Sequence, residues 1–228
     1  MNAFRCGWVL TLVLFGGLAL PAAAHKPVAV GQLESSAADP IALFDIEVSQ
    51  VLYYEPTAPR PEVWTSFSGA AGQELYVQLG VPRIAGLESV RPAFVLLWRD
   101  EEAEEVSLPV TVPDGFTGVE YTTAGKEANA FDEPFTGTKD WQFPAERIAL
   151  PVSGEYLLAA YVPGGGLEKF WIAVGEEEAF TAADIVGLPG ITVQVRLFHE
   201  VFPIGGIALL APLLALVAGV LALLAWLG

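Results

Sequence analysis

The stretch "PAFVLLWRD", residues 92–100, decides the fold. Residues 93–98 contain no polar side chain, and Pro92 and Asp100 bound the run. It is too short for an ordinary helix, so it reads as a strand buried on both faces. Its neighbours agree. "EVWTSFSG" (62–69) alternates Val63, Thr65 and Phe67 against Trp64 and Ser66, and "QELYVQLGVP" (73–82) sets Leu75, Val77 and Leu79 on one face. "IEVSQVLYY" (46–54) is rich in strand formers. "ERIALPVSGEYLLAAYVPGGG" (146–166) and "EKFWIAVGEEEAF" (168–180) continue the pattern, with turns at Ser153-Gly154 and at Gly164 to Gly166. Short strands, regular turns and no helical period predict a β-sandwich or barrel.

The weaker segments are read on the same rules. "EVSLPVTVP" (105–113) alternates, and Pro109 inside it predicts an edge strand. Residues 114–143 are richer in Gly, Thr and Lys and read as a long excursion with little regular structure. Residues 25–45 read as a mixed N-terminal arm before the sandwich, which spans 46–180. Beyond it, "TAAD" (181–184) fits a helix-start capping box. "IVGLPG" interrupts that start. "ITVQVRLFHEVF" (191–202) fits a strand through Ile191, Val193, Val195 and Leu197, and a helix face through Ile191, Val195, Phe198 and Phe202. Helix is the preferred reading, because the segment runs straight into an apolar stretch.

"SGEYLLAAYVPGGGLEKFWIAVG" (153–175), preceded by "PEVWTSFSGAAGQELYVQLGVP" (61–82), resembles the pre-peptidase C-terminal-like β-sandwich family. Gly154, Tyr156, Trp171, Ala173 and Val174 carry the resemblance, which covers residues 62–175. It implies a jelly-roll-like accessory domain without catalysis of its own. The acidic residues that family places in its middle strand are absent from "AFVLLW", so no calcium role is carried over.

Both ends of the chain are apolar. Residues 1–24 combine Arg5, an apolar core over 8–20, the helix breaker Pro21 and the small residues Ala22 to Ala24, the pattern of a secretory signal peptide. From 204 to 227 there is no charged residue. As a helix that run reaches about 36 Å, enough to cross a bilayer with some tilt. The expectation is a signal peptide (1–24), a juxtamembrane helical segment (181–202) and one transmembrane helix (203–228), with the body on the periplasmic or extracellular side. No basic residue follows the span, so orientation rests on the signal peptide.

Composition excludes several functions. The single cysteine, Cys6, lies in the signal peptide, so the exported part has no disulfide and no thiolate metal site. The formal net charge of −16 argues against nucleic acid and anionic lipid surfaces as partners, since both are negative. A hydrolytic nucleophile needs an adjacent base, and the chain has no G-x-S-x-G motif and only two histidines, His25 and His199. The acidic runs at 101–105 and 175–178 lack the spaced oxygens of a calcium loop.

Three candidate sites remain. Cleavage after Ala24 makes His25 the first residue, and its amine and imidazole together suit Cu(II). A second imidazole for that site comes only from His199. "FDEPFTG" (131–137) places Asp132 and Glu133 among aromatics as a binding lip, or as a loop that plugs the sandwich end. Trp141, read as a loop residue, is the one exposed stacking platform for a sugar, whereas Trp98 and Trp171 read as core. The leading expectation is a non-catalytic, membrane-anchored β-sandwich that binds a partner protein or envelope component. A copper-binding protein and a carbohydrate-binding module are the alternatives.

Overall fold

The computed structural model describes residues 26–100, 102, 106–179 and 181–203. Residues 1–24, read from sequence as a signal peptide, His25, and the apolar run from 204 onward lie outside the described residues. No helix among the described residues is long and apolar enough to cross a membrane.

Among the described residues, twelve strands form two sheets. They are β1 (Lys26–Gly31), β2 (Ile41–Ala42), β3 (Gln50–Tyr54), β4 (Glu62–Gly69), β5 (Glu74–Pro82), β6 (Ala93–Arg99), β7 (Phe116–Thr122), β8 (Asn129–Glu133), β9 (Thr138–Gln142), β10 (Glu146–Ala149), β11 (Gly154–Tyr161) and β12 (Phe170–Val174). Sheet one runs β1-β3-β12-β5-β9-β8, with β10 also paired to β5, and sheet two runs β2-β4-β11-β6-β7. Neighbours are antiparallel except β1 with β3 and β2 with β4. The mainly β architecture expected from the sequence is present, with the sheets enclosing one large core. One helix, α1 (Ala182–Phe198), follows the last strand.

The continuous apolar strands explain the layering. In β6, Phe94 and Leu96 face the core between the sheets, while Val95 and Leu97 face outward. In β11, Tyr156 and Leu158 point in and Leu157 and Ala159 point out. In β12, Phe170 and Ile172 point in and Trp171 and Ala173 point out. Outward apolar faces need covers, since exposing them forgoes roughly 25 cal/mol per Å². Residues 106–112 supply one: Leu108, Val110 and Val112 pack over the outer face of sheet two. Helix α1 lies on the sheet-one side and packs on β1.

Several sequence expectations are corrected here. Within 106–113 there is no strand; Pro109 and Pro113 lack the N–H a ladder needs, and the alternating apolars serve as a lid. Residues 114–143 hold three strands rather than an irregular excursion. β7 pairs with β6 along its length, and the β8–β9 hairpin joins the edge of β5. The N-terminal arm is also built in, because β1 pairs in parallel with β3, its register shifting between Pro27 and Ala29. The strand expected from residue 46 starts at Gln50. Ahead of it Asp45 accepts from the Glu47 amide at 2.9 Å and holds a turn. Helix α1 runs through Gly187, Pro189 and Gly190, where interruption was expected. Its docked face outweighs the poor propensity of those residues.

Tyr156 ties the β10–β11 connection. Its hydroxyl donates to the Val152 carbonyl at 2.6 Å and accepts from the Val152 amide at 3.2 Å, while its ring stacks on Phe67. Tyr156→Phe keeps the stack and loses both bonds. The expected cost is about 1 kcal/mol, read as a shift in the urea midpoint with an unchanged slope.

Candidate functional site

Strand ends define two poles. α1 starts at the far pole, where Thr181 and Asp184 form the capping box and Lys26 Nζ reaches Asp184 at 2.8 Å. The Lys26 ammonium, and then the Thr181 hydrogen bonds, lower the Asp184 carboxyl to about 2 from 3.8. A depressed carboxyl contributes its stability above the unfolded value and loses it as pH falls through the folded one. Fraying of the start of α1 is therefore expected between about pH 4 and pH 2, read by amide exchange in the first turn. Asp184→Asn should remove that pH step.

α1 ends at the near pole, on the outer face of sheet one. That face carries Val51 and Tyr53 from β3, and Trp171 and Ala173 from β12. Gly80 of β5 leaves room for the indole, since a Cβ there would stand 2.2 Å from the Trp171 ring. Phe198 of α1 meets Tyr53 edge-on at 5.3 Å between centroids, and His199 meets the same ring at 5.6 Å.

Beneath the helix end sits a buried polar cluster. Asp140 of β9 accepts from Trp171 Nε1 at 2.7 Å and contacts His199 Nε2 at 2.9 Å through the same oxygen. His199 Nδ1 lies 2.7 Å from the Val195 carbonyl. A carbonyl only accepts, so Nδ1 carries a proton, and the Nε2–Asp140 contact needs one further proton between its two partners. Side-chain exposure is 1% for His199 and 7% for Asp140. Burial first, then Asp140 and Glu133, push the Tyr53 phenol well up. Histidine and carboxylate are thus placed as in an acid–base dyad, yet no substrate reaches them. What the arrangement does is lock the last turn of α1 onto β9 and β12.

This clamp is the feature sequence reasoning missed. Asp140 falls in the 114–143 segment, read from sequence as an irregular excursion in which one aspartate among many draws no attention. The available signal was the period-2 set Thr138, Asp140 and Gln142, with Thr138 and Asp140 both buried.

The residues singled out from sequence fall elsewhere. Trp141 lies on β9, not in a loop. It is half-buried against the core, with the Arg83 guanidinium 4.8 Å over its ring, so it is not an open sugar platform. Asp132 is exposed on β8 and pairs with Arg83 at 3.0 Å and Lys139 at 3.7 Å. Arg83 thereby joins Asp132 to Trp141. Glu133 turns away from them and accepts from the Phe135 amide at 3.0 Å and from Thr136. It holds the 134–137 turn rather than lining a lip.

His25 lies outside the described residues. Its neighbour Lys26 sits at the far pole, whereas His199 closes the near end of α1. A helix of 17 residues spans about 25 Å, and both nitrogens of His199 are already engaged. The second imidazole expected for a copper site is therefore not available. Among the described residues no three His, Cys, Asp or Glu side chains converge to hold a metal ion.

No family model and no curated protein sequence matches the chain. Among solved structures it is similar to CorA of Methylomicrobium album BG8, described as a surface-associated copper-binding protein important in copper acquisition. The TM-score is 0.30 at 11% identity, over 68% of this chain and 100% of that one. It is also similar to MopE, a secreted copper-binding protein of Methylococcus capsulatus, with a TM-score of 0.29 at 11% identity over the same shares. At this level of similarity the ligand is a matter for this chain's own residues.

Proposed function

We propose that this protein is a non-catalytic, extracytoplasmic β-sandwich, held to a membrane by residues 204–227, that binds a partner protein or envelope component. The observation that carries the reading is the clamp. The His–Asp pair that an enzyme would expose is spent inside the fold, on fixing the segment that leads into the uncharged C-terminal run. Two cations reinforce the same exit. Arg196 donates to the Phe202 carbonyl at 2.8 Å through Nη2 and to the Thr136 carbonyl through Nη1, and Lys169 donates to the Phe198 carbonyl at 2.9 Å. A body joined so firmly to its anchor presents a fixed face to whatever it meets. A Cu(II) site at His25 would have to be completed without His199.

The test is fractionation of the native host. The full chain should stay in the membrane pellet through an alkaline carbonate wash. Protease should digest the body only from the extracytoplasmic side. A version ending at residue 203 should be released in soluble form, and a partner should co-purify with the full chain in stoichiometric amount. A carbonate-soluble full chain, or a body protected from external protease, would overturn the reading.

A further inference from the structure

The described chain ends at the near pole, and three observations there concern the same surface. First, large apolar side chains are exposed beside the exit. Phe202 is 71%, Leu197 57% and Leu167 46% exposed. Phe202 and Leu197 flank the clamp, and Leu167 lies two residues before Lys169, whose ammonium reaches Phe198 and Glu200. Second, the exit is held in place: Arg196 ties the Phe202 carbonyl to the Thr136 carbonyl of the β8–β9 turn, and Lys169 ties Phe198 to the start of β12. These apolar groups are held in place beside the point where the uncharged run of 204–227 begins.

Third, the two poles differ in charge. The loops of the near pole are 55–61, 83–92, 123–128, 134–137 and 162–169, since β3, β5, β7, β8 and β11 all end there. They bring Arg60, Arg83, Arg91, Lys126 and Lys169 together with Glu55, Glu88, Glu127 and Glu168, and Arg196 and Glu200 lie beside them, so the charges of this end nearly cancel. The far pole has Asp45, Glu47, Glu74, Glu176 and Glu177, and of the basic residues only Lys26, Arg99 and Arg147. In a chain of net charge −16, this balanced end repels an anionic lipid surface less than the acidic far pole does.

We infer that the near pole rests on the phospholipid surface, with Leu167, Leu197 and Phe202 at the boundary between headgroups and acyl chains and the acidic far pole turned to the aqueous side. This rests on the proposed membrane anchor and adds which face of the body the bilayer covers. Exposed apolar side chains on a nearly neutral end, next to an uncharged run, are the chemistry of an interfacial contact. Lipid is the occupant favoured over a protein, because chain continuity from Pro203 into the apolar run sets this surface against the bilayer whatever else binds.

The test uses the full chain in nanodiscs of phosphatidylcholine and phosphatidylglycerol. With Cys6 changed to Ser, single labelling sites are made as L167C, L197C and F202C, with F44C and V119C as exposed controls away from the near pole. Each carries a nitroxide, whose collisions with oxygen and with a water-soluble nickel chelate report depth. The expected result is oxygen access at least threefold above nickel access at the three near-pole sites, and the reverse at the controls. Nickel access at L167C and L197C equal to that at F44C, in a chain incorporated in the disc, would overturn this inference and leave the anchor standing. Protection from both quenchers at those sites would also overturn it, since a second copy packed there does that. A chain that fails to enter discs would overturn the anchor and this inference together.

Discussion

Asp140→Ala lowers the unfolding free energy of the full chain by about 3–5 kcal/mol, the range for removing one partner of a buried ion pair. The carboxylate contacts both the Trp171 indole N–H at 2.7 Å and His199 Nε2 at 2.9 Å, and its loss removes both contacts from a buried layer. Neither group reaches water without moving α1 off the sheet. Asp140→Asn separates the contributions. Its amide oxygen still accepts from Trp171, while the charge beside His199 is gone, so its cost should fall between those of the wild type and the alanine variant. Urea unfolding in detergent, followed by tryptophan fluorescence, reads both. An alanine variant within about 1 kcal/mol of wild type would mean the cluster is solvated and the clamp is not a clamp. A double-mutant cycle with His199→Ala should give coupling well above the exposed-pair range, which is about 0.2–1 kcal/mol.

How far such a feature can be read from sequence depends on what covers it. The strands β4, β5, β6, β11 and β12 were legible because their side-chain pattern is complete in itself. Where both faces are apolar, as in "AFVLLW", the strand is buried on both sides whatever the partner is. The segment 106–112 was misread for the opposite reason. Its alternation of Leu108, Val110 and Val112 suits a strand and a lid equally, and only the prolines separate the two. The hairpin β8–β9 was read as part of an irregular segment because residues 114–143 are rich in Gly, Thr and Lys. Its own ladder is local, but its place in the sheet is set by the bonds of β9 to β5, which no local window contains. Asp140 is the extreme case. Its burial is decided by His199, 59 residues later in the chain. For the candidate site this mattered more than for the fold. The sequence favours residues of conspicuous type, such as Trp141 and His25, while the clamp uses one aspartate among many. The helix preference for 191–202 did hold for most of its length, since the alternative strand reading would have left Phe198 and His199 on opposite faces.

Phe198→Ala should undock α1 while leaving the sheets folded. Phe198 is 2% exposed and is the largest side chain the helix contributes to the face it covers. Its ring meets Tyr53 and His199 edge-on, both at 5.3 Å, and the Lys169 ammonium lies 5.4 Å from its centre. Truncating a buried phenylalanine costs about 3–5 kcal/mol. That loss falls on a helix with poor intrinsic propensity, carrying Gly187, Pro189 and Gly190. A helix that depends on its docked face opens as a unit when that face is weakened. Amide exchange in α1 should then accelerate by two orders of magnitude or more, on the rule that about 1.4 kcal/mol is tenfold. Exchange in β4, β6 and β11 should stay within a few-fold of wild type, because their core lies between the sheets and touches none of these residues. Uniform acceleration across both sheets would mean that α1 belongs to the cooperative core, not to a separable brace. The distinction bears on function. Under the proposed anchoring, a separable brace would set the angle between the body and residues 204–227 without being needed for folding, so Phe198→Ala would loosen the near pole while the body keeps its shape.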